Sequence, residues 1–342
     1  MKPRFRNLLK NLCLSAASLL IFVALLEGAL RLCGYGNVEV YSPDPLLYWR
    51  LKPNQNCFTK INHQPVRVNS QGTRGPEFAA AKPTDTVRIL SLGDSRTFGW
   101  GLSEKECYSE VLGRLLQEKA GRLPKIEVIN AGVNGWSYSQ MHVYFREVAL
   151  RYHPDLVILG EANLYTQFTE HNSPEFVRKF MTRVRLKNLL RRCALYHFVV
   201  EVQLKEFYER YRTRFIPVDP QRDALFKAEQ QEDPYGVFRE AMESLCQVAR
   251  TNGVKPVLLY LPMLTDLQST NPAPLFRIKS EVSRRLKVPL VDLSSELRTN
   301  GKALYLEGDP VHLNAEGNEL IARKLFQTVS EQLFDNPSAI RH

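Results

Sequence analysis

Val87-Arg88-Ile89-Leu90-Ser91-Leu92 runs directly into Gly93-Asp94-Ser95, which is followed by Arg96, Thr97, Phe98, Gly99, Trp100 and Gly101. A short aliphatic run that breaks at glycine reads as a buried strand ending in a turn. It places a serine at the strand's carboxyl end, with glycines that allow a ligand to come close to the backbone. Outward from this strand the chain keeps one rhythm. Ile126 to Asn130, Leu156 to Leu159, Pro256 to Leu261 and Pro289 to Asp292 read as further strands. Between them, Tyr108 to Ala120, Tyr138 to Tyr152, Tyr235 to Thr251 and Leu275 to Leu286 have helical period, and a last such stretch runs from Ala315 to Leu333. This alternation predicts an α/β fold: three layers, a doubly wound parallel sheet of five strands, right-handed crossovers and helices on both faces. Ligand sites in such sheets gather at the carboxyl ends of the strands.

Serine is a weak nucleophile until a base takes its proton, and the base needs a carboxylate to orient it. Of seven histidines, His312 is best placed, in Gly308-Asp309-Pro310-Val311-His312 just before the last helix. Asp309 lies three residues upstream, so one turn aims both side chains at one site. Acyl transfer also needs donors for the oxyanion that forms on the attacked carbonyl. Two other strand ends offer them: Gly135, within Ala131-Gly132-Val133-Asn134-Gly135, and Asn163, within Gly160-Glu161-Ala162-Asn163. The Ser95 N–H makes a third.

The order Gly-Asp-Ser, then Gly, then Asn, then Asp-x-x-His resembles the SGNH hydrolase family, also called GDSL-like lipases and acylhydrolases. The resemblance covers roughly Val87 to Leu333 apart from an insertion. It implies Ser95 as nucleophile and oxyanion donor, Gly135 and Asn163 as the other donors, His312 as base and Asp309 as its support. It implies no cofactor. Val68-Asn69-Ser70-Gln71-Gly72-Thr73-Arg74-Gly75 also looks like the lead-in of membrane-anchored bacterial members. One block departs from the pattern: the family usually has Gly-x-Asn-Asp around its asparagine, whereas this chain has Glu161-Ala162-Asn163-Leu164.

At the amino terminus Lys2, Arg4, Arg6 and Lys10 precede a charge-free run from Asn11 to Leu26. Basic residues before an apolar run read as an export signal or an anchor with its amino terminus in the cytoplasm. Glu27 and Arg31 sit four apart and can pair on one helix face, which extends the apolar surface enough to span. The expected organisation is a cytoplasmic basic end and transmembrane anchor over residues 1–34, an extended connector over 35–86, and a hydrolase domain over 87–335 lying outside the cytoplasm. Residues 164–234 are too long for a plain loop and read as a helical insertion. Within it, Arg178 to Arg192 holds seven basic residues and no acid. An aromatic-rich helical stretch follows from Tyr196 to Phe215. The basic segment reads as a solvated face, or as a contact for anionic headgroups or an acidic substrate.

The formal charge of +10 points to an anionic membrane surface or an acidic polymer, since no nucleic-acid motif is present. No zinc-type CxxC pair, GxGxxG or GxxxxGK[ST] occurs, so no metal or nucleotide cofactor is indicated. In an oxidising compartment Cys57, Cys107, Cys193 and Cys246 are either disulfide partners or ordinary small buried residues. The expected function is hydrolysis of an O-acyl ester, such as an O-acetyl group, on an envelope glycan or lipid. Transfer of the acyl group to a sugar hydroxyl by the same triad is the alternative, and a non-catalytic glycan- or lipid-binding module is a third.

Overall fold

The computed structural model describes residues 3–122, 124–163, 168, 172–204, 235–269 and 271–334. Helix α1 (Pro3–Leu32) comes first, then strands β1 (Tyr41–Asp44), β2 (Tyr48–Leu51), β3 (Gln55–Phe58) and β4 (Pro65–Val68). The larger alternation follows: β5 (Thr86–Gly93), α2 (Tyr108–Ala120), β6 (Lys125–Gly132), α3 (Tyr138–Glu147), β7 (Leu156–Leu159) and α4 (Pro174–Arg191). It closes with α5 (Gly236–Thr251), β8 (Lys255–Tyr260), α6 (Pro274–Leu286), β9 (Leu290–Asp292) and α7 (Ala315–Leu333).

The five later strands form one parallel sheet in the order β6-β5-β7-β8-β9. Its central strands β5, β7 and β8 are almost wholly buried, as expected where helices cover both faces. Met141, Phe145, Met242, Leu245 and Val282 of α3, α5 and α6 pack on one face, with Leu90, Leu92, Val157 and Leu159 of the sheet. Val111, Leu112, Leu116, Ile321, Leu325 and Val329 of α2 and α7 pack on the other, with Ile89, Ile158 and Val257. The winding direction changes between β5 and β7, and in such a sheet the ligand crevice opens at that point.

Residues 35–86 are not the extended connector that their Pro-, Asn- and Gln-rich composition suggests. They form two antiparallel hairpins, β1–β2 and β3–β4, that pack on the core. Leu47, Tyr48, Leu51, Val66 and Val68 are buried in the same cluster as Leu92 and Trp136. In the insertion, α4 covers residues 174–191 and helical turns continue to Leu204; the rest of the expected stretch to Phe215 lies outside the described residues. Leu9–Leu32 of α1 is long and apolar enough to cross a membrane, with a mean hydropathy of 2.1 over 24 residues. Its last turn carries the expected pair, with Arg31 Nε donating to Glu27 Oε1 at 2.8 Å. All six cysteines are free, and Cys57, Cys107 and Cys246 are buried.

Candidate active site

The turn after β5 is built by its own side chains. Asp94 caps Ser95–Phe98 by accepting from the Arg96 N–H at 2.9 Å, and its carboxylate holds the Arg96 guanidinium at 2.8 Å. Burial works to raise the Asp94 pKa, but the charge and hydrogen bonds of Arg96 outweigh it and hold the group below the ordinary value. The turn ends at Gly99, whose φ of 86° lies in the left-handed region, and a Cβ there would meet Cys107 Sγ at 2.3 Å. From the hairpin segment, the buried Arg74 clamps the far side by donating to the carbonyls of Phe98 (2.7 Å), Gly99 (2.8 Å) and Leu102 (2.5 Å).

His312 reaches Ser95 across the sheet edge. Ser95 Oγ lies 2.8 Å from His312 Nε2, and His312 Nδ1 lies 2.7 Å from Asp309 Oδ2. The other Asp309 oxygen accepts from the Val311 and His312 N–H groups at 2.8 and 3.1 Å. A proton on Nδ1, facing the carboxylate, leaves Nε2 free to accept from the serine hydroxyl. Burial works to raise the Asp309 pKa; the His312 hydrogen bond and charge, with the two backbone donors, reverse that and lower it. Trp100 stacks on the imidazole at 5.7 Å and 30°.

Three backbone bonds draw the neighbouring strand ends toward this turn. Val133 N–H donates to Gly93 (3.0 Å), Asp94 N–H to Glu161 (2.8 Å), and Asn163 N–H to Trp136 (2.8 Å). The sheet edge is so close here that a Cβ on Gly132 would lie 2.2 Å from the Phe98 nitrogen. Gly135 has a φ of 85°, a conformation that favours glycine. Among the described residues, neither the Gly135 N–H nor the Asn163 side-chain amide has a hydrogen-bond partner. The hairpin braces this loop: Trp49 Nε1 donates to Asn134 O at 3.0 Å, and Trp136 Nε1 donates to Trp49 O at 2.9 Å.

Sequence reasoning did not find the residues beneath the site. Glu161, fully buried, pairs with the equally buried Lys279 of α6 at 2.8 Å and accepts from the Leu261 N–H at 2.7 Å. Lys279 also donates to the Gly160 carbonyl at 3.2 Å. Burial drives the Lys279 pKa down, with the Glu161 charge opposing. One signal was present, since Lys279 falls on the apolar stripe of its helix with Leu275, Ile278 and Val282. Nothing in the sequence marks Arg74 as a buried clamp.

Beside His312 a cavity of about 10 Å³ is lined by Arg96, Gly99, Trp100 and Leu261. A larger one of about 400 Å³ lies between the β1–β2 hairpin and α4, lined by Leu46, Tyr48, Val177, Arg178 and Arg185 among others. Among the described residues, no group of three or more His, Cys, Asp or Glu side chains is placed to hold a metal.

Residues 91–320 match the model of the GDSL-like Lipase/Acylhydrolase family. Among solved structures the chain is similar to TesA, at 14% identity and a TM-score of 0.45, covering 72% of this chain and 99% of that one. It is similar to a catalytic mutant of Axe2, an acetylxylan esterase from Geobacillus stearothermophilus (14%, TM-score 0.43, 71% and 94%). It is also similar to a two-domain esterase active on acetylated mannans (17%, TM-score 0.44, 72% and 50%). No curated protein sequence matches the chain. A match that begins in the strand before Ser95 and ends in the helix after His312 places the chain in the GDSL-like lipase/acylhydrolase family, the SGNH hydrolases, as a serine esterase acting on carboxylic ester bonds.

Proposed function

We propose that Ser95, His312 and Asp309 are the catalytic triad of an esterase that removes short O-acyl groups from an envelope glycan or lipid outside the cytoplasm. The observation that carries this reading is the unbroken hydrogen-bonded relay from Ser95 Oγ through His312 to Asp309. In acylation Oγ attacks the ester carbonyl while His312 Nε2 takes the hydroxyl proton, and Asp309 stabilises the imidazolium that results. The oxyanion is held by the Ser95 N–H, which at the first position of a turn has no intrahelical acceptor, and by the Gly135 N–H and Asn163 amide. Collapse expels the alcohol, which takes its proton from His312. Water, deprotonated by the same imidazole, then releases the acid and restores the serine.

The confined space beside His312, about the room of one water, favours a short acyl group. The basic residues before the apolar part of α1 keep Met1 in the cytoplasm and place the catalytic domain on the other side. Turnover of p-nitrophenyl acetate by the full-length protein, with and without O-acetylated glycan, tests the chemistry. Inactivity on every ester, or turnover unchanged by Ser95→Ala, would overturn it. Alkaline phosphatase fused after His342 tests the location, because that reporter is active only outside the cytoplasm; an expressed but inactive fusion refutes it.

A further inference from the structure

The insertion carries an exposed apolar surface that ester hydrolysis does not use. Helix α4 packs Val177, Phe180 and Val184 against the core. Its Asn188 brackets Tyr41, accepting from the Tyr41 N–H at 3.3 Å and donating to its carbonyl at 2.6 Å. At about 100° per residue, Leu186, Leu189 and Leu190 fall on the opposite side. They are 57%, 62% and 39% exposed, and Val199, Val200 and Leu204 in the following turns are 38%, 39% and 53% exposed. Arg183, Arg185, Lys187 and Arg192 interrupt them. Single exposed leucines are ordinary on a soluble surface, but six large aliphatic side chains within residues 186–204 make a patch, and patches mark contact surfaces.

The position of the patch identifies its partner. The last turn of α1 docks on this same segment: the Glu27 carboxylate accepts from the Ala194 and Leu195 N–H groups at 2.9 and 2.8 Å, and Arg31 donates to the Arg192 carbonyl at 2.6 Å. The apolar length of α1 is otherwise unburied, and Leu32 at its end is 92% exposed. The patch therefore begins where the membrane-length helix meets the domain. Aliphatic side chains interleaved with long basic ones suit the boundary between acyl chains and headgroups, where the carbon stems bury and the charges reach anionic lipid.

We propose that residues 183–204 lie on the surface of a bilayer containing anionic lipid, beside the point where α1 leaves it, and seat the catalytic domain against the membrane. The proposal rests on α1 spanning that bilayer. The test uses full-length protein reconstituted into vesicles of phosphatidylcholine with phosphatidylglycerol, with or without brominated acyl chains. Single tryptophans are added as Leu189→Trp on the patch, Ile21→Trp in α1 and Glu118→Trp on α2, which covers the other face of the sheet. Relative to wild type, brominated lipid should quench the Leu189→Trp and Ile21→Trp signals and leave the Glu118→Trp signal unchanged. Quenching of Leu189→Trp should be lost when Arg183→Glu and Arg185→Glu are added. If Ile21→Trp is quenched and Leu189→Trp is not, the seating is overturned while the span stands. If neither is quenched, the spanning reading fails and takes the proposal with it. Quenching of Leu189→Trp that survives in pure phosphatidylcholine vesicles and in the Arg183, Arg185 variant would overturn the anionic-lipid assignment.

Discussion

Glu161 and Lys279 form an ion pair at 2.8 Å with both side chains wholly buried, directly beneath the loop that carries Asn163. Removing one partner strands the other charge away from water. Lys279→Ala should therefore lower stability by about 3–5 kcal/mol, read from urea unfolding. Replacing both, as Glu161→Leu with Lys279→Met, should be milder than the single change. A double variant as damaged as Lys279→Ala would show that the pair stabilises the fold beyond neutralising its own charges.

Ser95→Ala and His312→Ala should each reduce kcat on p-nitrophenyl acetate by roughly 10^3-fold or more, because the members of such a relay act as a unit. The two losses should be similar, and the double variant little worse than either. Losses that multiply would place the two residues in separate steps.

Asn163→Ala should reduce kcat by about 10^2-fold with a smaller change in KM, since an oxyanion donor acts mainly in the transition state. Unchanged kcat would remove Asn163 from the site and leave the Gly135 and Ser95 amides to hold the charge.

Asp309 has a folded pKa below its unfolded value of about 3.9, so its ionised form contributes stability that is fully present above that value. The contribution disappears as pH falls through the lower folded pKa. Comparing urea midpoints of the wild type and Asp309→Asn across acidic and neutral pH, the gap should be constant near neutrality and close below about pH 4. A gap that widened with acid would mean that the carboxylate is not stabilised by His312 and its backbone donors.

Burial pushes the Cys57 and Cys246 thiols up to about 12 and the Cys107 thiol to about 11. Thiolate is the reactive form, so iodoacetamide at mildly alkaline pH should leave these three unlabelled in the folded protein and reach them after unfolding. Cys33 and Cys193 are exposed and should label in both states.

The alternation of aliphatic runs and amphipathic stretches was enough to place all five sheet strands, because a parallel sheet covered on both faces makes its strands continuously apolar. The hairpins were less legible. Their strands are four residues each, and β2 begins at Tyr48 with a φ of 64°, which no propensity argument anticipates. The Ser95, Asp309 and His312 set was readable because its chemistry demands fixed residue types. Arg74 and Glu161 act through backbone groups and a buried partner, and only the tertiary contacts show which carbonyl or ammonium each one faces.

The way the hairpins grip the site has a consequence for where the domain begins. Trp49 and Trp136 exchange indole and backbone bonds, and Arg74 satisfies three carbonyls of the Ser95 turn from a position well before β5. A chain shortened to start at Val87 would keep every residue of the relay. It would also uncover an indole that is now wholly buried and take the guanidinium away from those three carbonyls. The smallest soluble piece with an intact serine turn therefore starts ahead of β1, and cutting at the first sheet strand leaves an enzyme complete in its reacting groups but loose in their alignment.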